Sequence, residues 1–144
     1  MDKLIEINRL NKSFGDNHVL KDFSLDLFEN ENHVIIGRSG QGKSVLLKCI
    51  MGLIDYDSGS LKVFNTEIGE LGEKELNRLR RRIGFLFQGG ALYDSMTVEG
   101  NLEFVLKRLR KELTEKERNK LIDQSLESVD LSDVHKSMPS ELSG

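Results

Sequence analysis

The sequence predicts an α/β fold, and three observations predict it. A β-branched run, His33-Val34-Ile35-Ile36, leads straight into a glycine-rich loop and then an apolar stripe at helical spacing, the strand, loop and helix of an α/β unit. Segments before and after that unit alternate apolar and polar residues, as half-buried strands of an antiparallel sheet do. From residue 97 onward the pattern is almost wholly helical.

Taken in order, Leu4, Ile5 and Ile7 suggest a first strand. Phe23, Leu25 and Leu27, alternating with Ser24, Asp26 and Phe28, suggest a second. After the polar turn Glu29-Asn30-Glu31-Asn32, residues 33 to 36 have the composition of a central strand buried on both faces. Val45, Leu46, Leu47, Ile50 and Met51 predict a helix stopped by Gly52, and Asp57-Ser58-Gly59 a turn into a strand at Ser60 to Phe64. Glu73 to Arg81 reads as a charged helix, and Ile83 to Phe87 as a further strand. Val98, Leu102, Val105, Leu106 and Leu109 predict a helix, and the capping box Thr114-Glu115-Lys116-Glu117 opens another, with Leu121, Ile122, Leu126 and Val129 as its buried stripe. The expected organisation is a mixed sheet part over residues 1–96, carrying the glycine-rich loop, and a helical subdomain over 97–144.

Composition narrows the function. A chain of 144 residues fits one core, and 38% hydrophobic residues with 13 Gly and a single Pro is a globular composition. Lys and Arg number 21 against 24 Asp and Glu, so the net charge of -3 gives no general attraction to nucleic acid, and no nucleic-acid partner is expected. The lone Cys49 forms no internal disulfide and reads as helix packing, while His18, His33 and His135 have no partners at metal-ligand spacing. Arg78, Arg80, Arg81 and Arg82, beside Glu73 and Glu75, read as a charged helix face. The first six residues carry two acids and no apolar core of a signal peptide, and the longest uncharged run, Ile83 to Tyr93, has 11 residues. A spanning helix needs roughly 18 or more, so the chain is expected not to cross a membrane itself.

Gly37-Arg38-Ser39-Gly40-Gln41-Gly42-Lys43-Ser44 matches the phosphate-loop pattern G-x-x-x-x-G-K-[ST] at every defined position, between the expected strand and helix. Glycines let backbone N–H groups turn in around phosphate oxygens, and the helix N-terminus adds partial positive charge. Lys43 is placed to bridge the β- and γ-phosphates, and the Ser44 hydroxyl to ligate Mg²⁺. The loop alone leaves kinases, GTPases, helicases and transporters open.

Further residues carry a resemblance. Phe14 in Ser13-Phe14-Gly15, Gln88 after Phe85-Leu86-Phe87, and Leu142-Ser143-Gly144 stand in the order and separation found in the ATP-binding subunits of ABC transporters. The chain resembles that family from about residue 3 to its last residue. The resemblance implies a P-loop NTPase core with an antiparallel N-terminal β part and a helical subdomain. It implies an ATP and Mg²⁺ site made of Phe14, which stacks on adenine, and Gly37, Arg38, Ser39, Gly40, Gln41, Gly42, Lys43, Ser44 and Val45. Gln88 is implied as a second metal ligand that orients attacking water, acting with Lys43 in hydrolysis. Ser143 and Gly144 begin the signature motif, which contacts the ATP of the opposite subunit in a homodimer.

The stretch Phe87 to Val98 and the approach Met138 to Gly144 resemble the Mla/Mce-type ATPases, which drive phospholipid movement between bacterial membranes. That likeness implies a subunit peripheral to the cytoplasmic side of the inner membrane, with transmembrane permease subunits docking near Gly89 to Tyr93. In the family the Walker B strand, catalytic glutamate and switch histidine follow the signature motif, so an incomplete ABC ATPase domain, inactive in hydrolysis by itself, is expected of these 144 residues. Two alternatives accompany this reading: a soluble P-loop nucleotide or metabolite kinase, and a nucleotide-binding module without turnover.

Overall fold

The computed structural model describes residues 2–87 and 90–142. Strands β1 (Lys3–Phe14) and β2 (Asn17–Phe28) form a long antiparallel hairpin. β3 (Ser58–Val63) pairs antiparallel with the other edge of β1, and the short β4 (Thr66–Glu67) follows it, giving the order β2-β1-β3-β4. Helix α1 (Lys43–Ile50) precedes β3, α2 (Glu73–Arg80) follows β4, and α3 (Val98–Leu109) and α4 (Glu115–Glu127) form the helical part. The chain divides into two compact units, Met1–Gly84 and Phe85–Gly144.

In the first unit Ile7 and Leu10 of β1, Leu61 and Val63 of β3, and Leu46, Cys49 and Ile50 of α1 form one buried cluster, with Leu76 and Leu79 of α2. Cys49 is fully buried, and that burial pushes its thiol pKa up, so it packs as a small hydrophobe. In the second unit Val98, Ile122 and Leu126 pack with Leu102, Leu106, Val134 and Leu142. The Thr114 capping box forms as expected: its Oγ1 accepts from the Glu117 N–H at 3.3 Å, and the Glu117 carboxylate accepts from the Thr114 N–H at 2.7 Å.

Four expectations need correction. Residues 33 to 36 form no strand: they join no strand pairing among the described residues, and Val34 and Ile36 are 81% and 90% exposed. A β-branched run becomes a buried strand only when neighbours pair with it, and β1 to β4 pair only with one another. Residues 83 to 87 are not a strand either, with Leu86 85% exposed and the Phe85 and Phe87 rings packed edge to face, 4.5 Å between centroids. Val129 is exposed because α4 ends at Glu127 and Asp130 reverses the chain at φ 58. Val105 and Leu109 also face outward, so the buried stripe of α3 is narrower than the apolar pattern, and Asn101 stands within it.

Candidate functional site

The glycine-rich loop ends at Gly42, the N-cap of α1, with φ 85 and ψ 0. A Cβ there would lie 2.7 Å from Val19 Cγ1 and 3.0 Å from the Val19 carbonyl oxygen of β2, so both conformation and space demand glycine. The Leu46 N–H donates to the Gly42 carbonyl at 2.8 Å, which begins the helical bonding. The N–H groups of Lys43, Ser44 and Val45 precede it and have no intrahelical acceptor. No side chain caps this end, and no acid stands in its first turn. Lys43 Nζ donates to the carbonyls of Gly37 at 2.7 Å and Arg38 at 2.8 Å, and Gln41 Oε1 accepts from the Arg38 N–H at 2.8 Å.

The loop thus collects a cation, free N–H groups and the positive end of a helix, a donor set that suits a polyanion. Beside it lies a cavity of about 220 Å³ lined by Val19, Leu20, Phe23, Ile36, Gly42 and Lys43, among others. That is below the roughly 300 to 1,000 Å³ of whole-ligand pockets and suits the phosphate end of a nucleotide. A larger hollow of about 480 Å³, bordered by Tyr56, Glu67 and Leu76, is not lined by the loop. There Glu67 accepts from Tyr56 Oη at 2.6 Å, Ser60 Oγ at 2.6 Å and the Leu61 N–H at 2.8 Å. Burial works against the Glu67 carboxylate, yet these donors hold its pKa below the usual range. Burial, then the Glu67 hydrogen bond, push the Tyr56 phenol up to about 12.

The far end of α1 is fixed as firmly as the loop end. Gly52 takes φ 59, and the Leu53 N–H donates to the Lys48 carbonyl at 2.8 Å, the backbone pattern of a glycine-stopped helix. Arg80 of α2 then donates from Nε to the Met51 carbonyl at 2.9 Å and from Nη2 to the Gly52 carbonyl at 2.6 Å. The arginine run is therefore more than a charged face, because one member holds the end of the phosphate-loop helix.

Phe14 sits at the end of β1, 51% exposed, with Lys12 Nζ 5.2 Å from its ring centroid. Ser44 is exposed on the first turn of α1. Gln88, Gly89, Ser143 and Gly144 lie outside the described residues. Of the stretch expected to dock the permease, Leu92 and Tyr93 are 54% and 49% exposed. No group of three or more His, Cys, Asp or Glu side chains suited to a metal occurs among the described residues. No helix among them is long and apolar enough to cross a membrane. Sequence reasoning missed Asn101, whose amide is buried at the start of α3; its signal was a polar residue inside the apolar stripe of Val98 and Leu102.

The ABC transporter family matches residues 20–144. The methionine import ATP-binding protein MetN of Clostridium tetani is 42% identical over 141 residues, covering 98% of this chain and 44% of that protein. The probable ribonucleotide transport ATP-binding protein mkl of Mycobacterium leprae is 39% identical over 144 residues, covering 100% of this chain and 41% of its own. The chain therefore spans less than half the length of these two relatives. Among solved structures, cbiO1 of Clostridium perfringens, part of the ABC transporter complex cbiONQ, gives a TM-score of 0.86 at 26% identity over 99% of this chain and 57% of that one. A dimeric ATP-binding cassette in a post-hydrolysis state, bound to ADP and Pi, gives 0.82 at 29% identity over 96% of this chain and 63% of that one. The alternative of a soluble nucleotide or metabolite kinase gives way to these matches, and the expected resemblance holds: with an α/β fold, a phosphate loop closing onto α1 and a family match over most of its length, this chain belongs to the ABC transporter family.

Proposed function

We propose that this chain carries the nucleotide site of an ATP-hydrolysing subunit that powers a transporter from the cytoplasmic face of the inner membrane. The observation that most supports it is the phosphate loop itself, which holds the Lys43 ammonium among its own backbone, 2.7 Å from the Gly37 carbonyl and 2.8 Å from the Arg38 carbonyl, at the N-terminal end of α1. Lys43 and the N–H groups at the start of α1 would hold the phosphates of ATP, the lysine supplying positive charge and the backbone supplying donors. The exposed Ser44 hydroxyl would hold Mg²⁺ as a protein oxygen ligand. Bound there, Mg²⁺ spreads the charge of the β- and γ-phosphates. Phe14 offers adenine a stacking face worth roughly 1 to 3 kcal/mol, by analogy with base stacking. Gln88 orients the attacking water and passes movement to the permease.

The assembly is a homodimer in which Ser143 and Gly144 of one subunit face the γ-phosphate held by the other; the dimeric state of a similar cassette supports it. Permease subunits dock at Gly89 to Tyr93, where the exposed Leu92 and Tyr93 offer uncharged surface to an incoming helix. The transported class is phospholipid, on the pattern of residues 87 to 98. The names of the two relatives point to methionine and to ribonucleotide, so they select no single substrate.

The test is ATP-dependent movement of labelled phospholipid between vesicles by the full-length protein assembled with its permease. Gln88→Ala is expected to abolish that movement and slow ATP turnover while ATP binding persists. Uptake of methionine without lipid movement would remove the lipid assignment. Wild-type turnover and transport in Gln88→Ala would make Gln88 an ordinary loop residue.

A further inference from the structure

We infer that Asn101 is a positioning residue that sets the Tyr93–Thr97 turn in shape for docking. It is 5% exposed and is the one buried polar side chain among the described residues. Its Oδ1 accepts from the Tyr93 N–H at 2.6 Å. Its Nδ2 donates to the carbonyls of Tyr93 at 3.1 Å, Met96 at 3.2 Å and Thr97 at 3.0 Å. The orientation of the amide follows from its partners, since a flipped side chain would set its oxygen against three carbonyls. One side chain thus satisfies both the N–H and the C=O of Tyr93, as a neighbouring strand would. The turn is closed by the Met96 N–H, which donates to the Tyr93 carbonyl at 3.1 Å, and the Asn101 amide fills its interior.

The ring of Tyr93 is held by the same helix. It packs edge to face on Phe104, with centroids 5.1 Å apart, and Arg108 lies 5.0 Å from the Phe104 centroid on the next turn of α3. Tyr93 is therefore fixed at its backbone by Asn101 and at its ring by Phe104, yet it remains 49% exposed, beside Leu92 at 54%. A half-exposed aromatic held in one place suits an interface anchor, because the ordering cost is met before the partner arrives. Asn101 stands beside the apolar stripe that packs Val98, Leu102 and Leu106 against Ile122 and Leu126, and its amide is turned to the backbone of the turn.

The inference rests on the proposed permease docking at residues 89 to 93, and the experiment separates the two. Full-length protein is titrated onto inverted membrane vesicles from the cell of origin, stripped of peripheral proteins, and read by co-sedimentation. Asn101→Ala removes the amide; Asn101→Leu removes it while keeping apolar volume for the helix packing. Both are expected to raise amide hydrogen exchange at Tyr93, leave exchange across α3 and α4 and ATP affinity at wild-type values, and lower vesicle affinity about tenfold, the size of a lost ordering contribution. Wild-type vesicle affinity in Asn101→Leu overturns the inference. So does a loss that appears only together with exchange throughout α3, which marks a structural residue. Tyr93→Asp tests the docking reading itself: if it lowers vesicle binding while Asn101→Leu does not, only the positioning role falls. If Tyr93→Asp also binds as wild type, or if binding survives protease treatment of the vesicles, both fall.

Discussion

Gly42 carries its part of the site through backbone geometry alone. At φ 85 an alanine costs about 1 to 2 kcal/mol in the left-handed region, before its Cβ meets Val19 of β2. Gly42→Ala is therefore expected to lose more than that in chemical denaturation of the full-length protein, and to bind ATP more weakly as α1 shifts. Unchanged stability would mean that the loop relaxes away from β2. Such a glycine is legible in a sequence because the phosphate-loop pattern is a list of backbone requirements. Asn101 and Arg80 are less legible, because their acceptors are carbonyls brought within reach only once the chain has folded.

Among elements, the helices follow their local signals more closely than the strands do. The Thr114 cap and the Gly52 stop act on neighbours within a few residues, so the start of α4 and the end of α1 can be read directly, whereas the end of α4 cannot. Thr114→Ala is expected to cost about 0.5 to 2 kcal/mol, with exchange rising first in the opening turn of α4. Residues 33 to 36 and 83 to 87 have strand composition, but a strand exists only through its partners, and composition does not supply them. The β3–β4 turn region depends on Glu67, which receives three donors from separate positions. Glu67→Gln keeps an oxygen for Tyr56 and Leu61 but removes the charge that strengthens all three bonds and makes the Ser60 hydroxyl turn to accept, and it is expected to cost about 1 to 3 kcal/mol. The pH dependence has two limbs. The depressed Glu67 pKa gives stability that is present above the unfolded carboxylate pKa and lost as pH falls through the folded value. The raised Tyr56 pKa gives stability that is present below the ordinary phenol value of 10.0 and lost as pH rises toward about 12. Tyr56→Phe should flatten the alkaline limb, and an alkaline limb identical to wild type would contradict the assignment.

At the scale of the whole molecule, the fold class and the order of its parts follow from patterns spread over many residues, which is why they survive local misreadings of strands. The exposed apolar run beside the phosphate loop is the chief departure: Val34 and Ile36 are 81% and 90% exposed. An apolar, exposed and unpaired segment invites association. Residues 1–144 purified alone are expected to self-associate in size-exclusion chromatography, with Val34→Lys shifting the population toward monomer. A monodisperse wild-type monomer would show that this segment finds cover within the chain. Calorimetry of Mg-ATP binding to the full-length protein tests most directly whether the adjacent phosphate loop is the nucleotide site. Lys43→Ala should weaken binding by about tenfold or more, as expected when charge-assisted hydrogen bonds worth about 1.5 to 3 kcal/mol are removed, while the backbone cradle retains residual affinity. Equal affinities for wild type and Lys43→Ala would contradict the assignment of this loop as the nucleotide site.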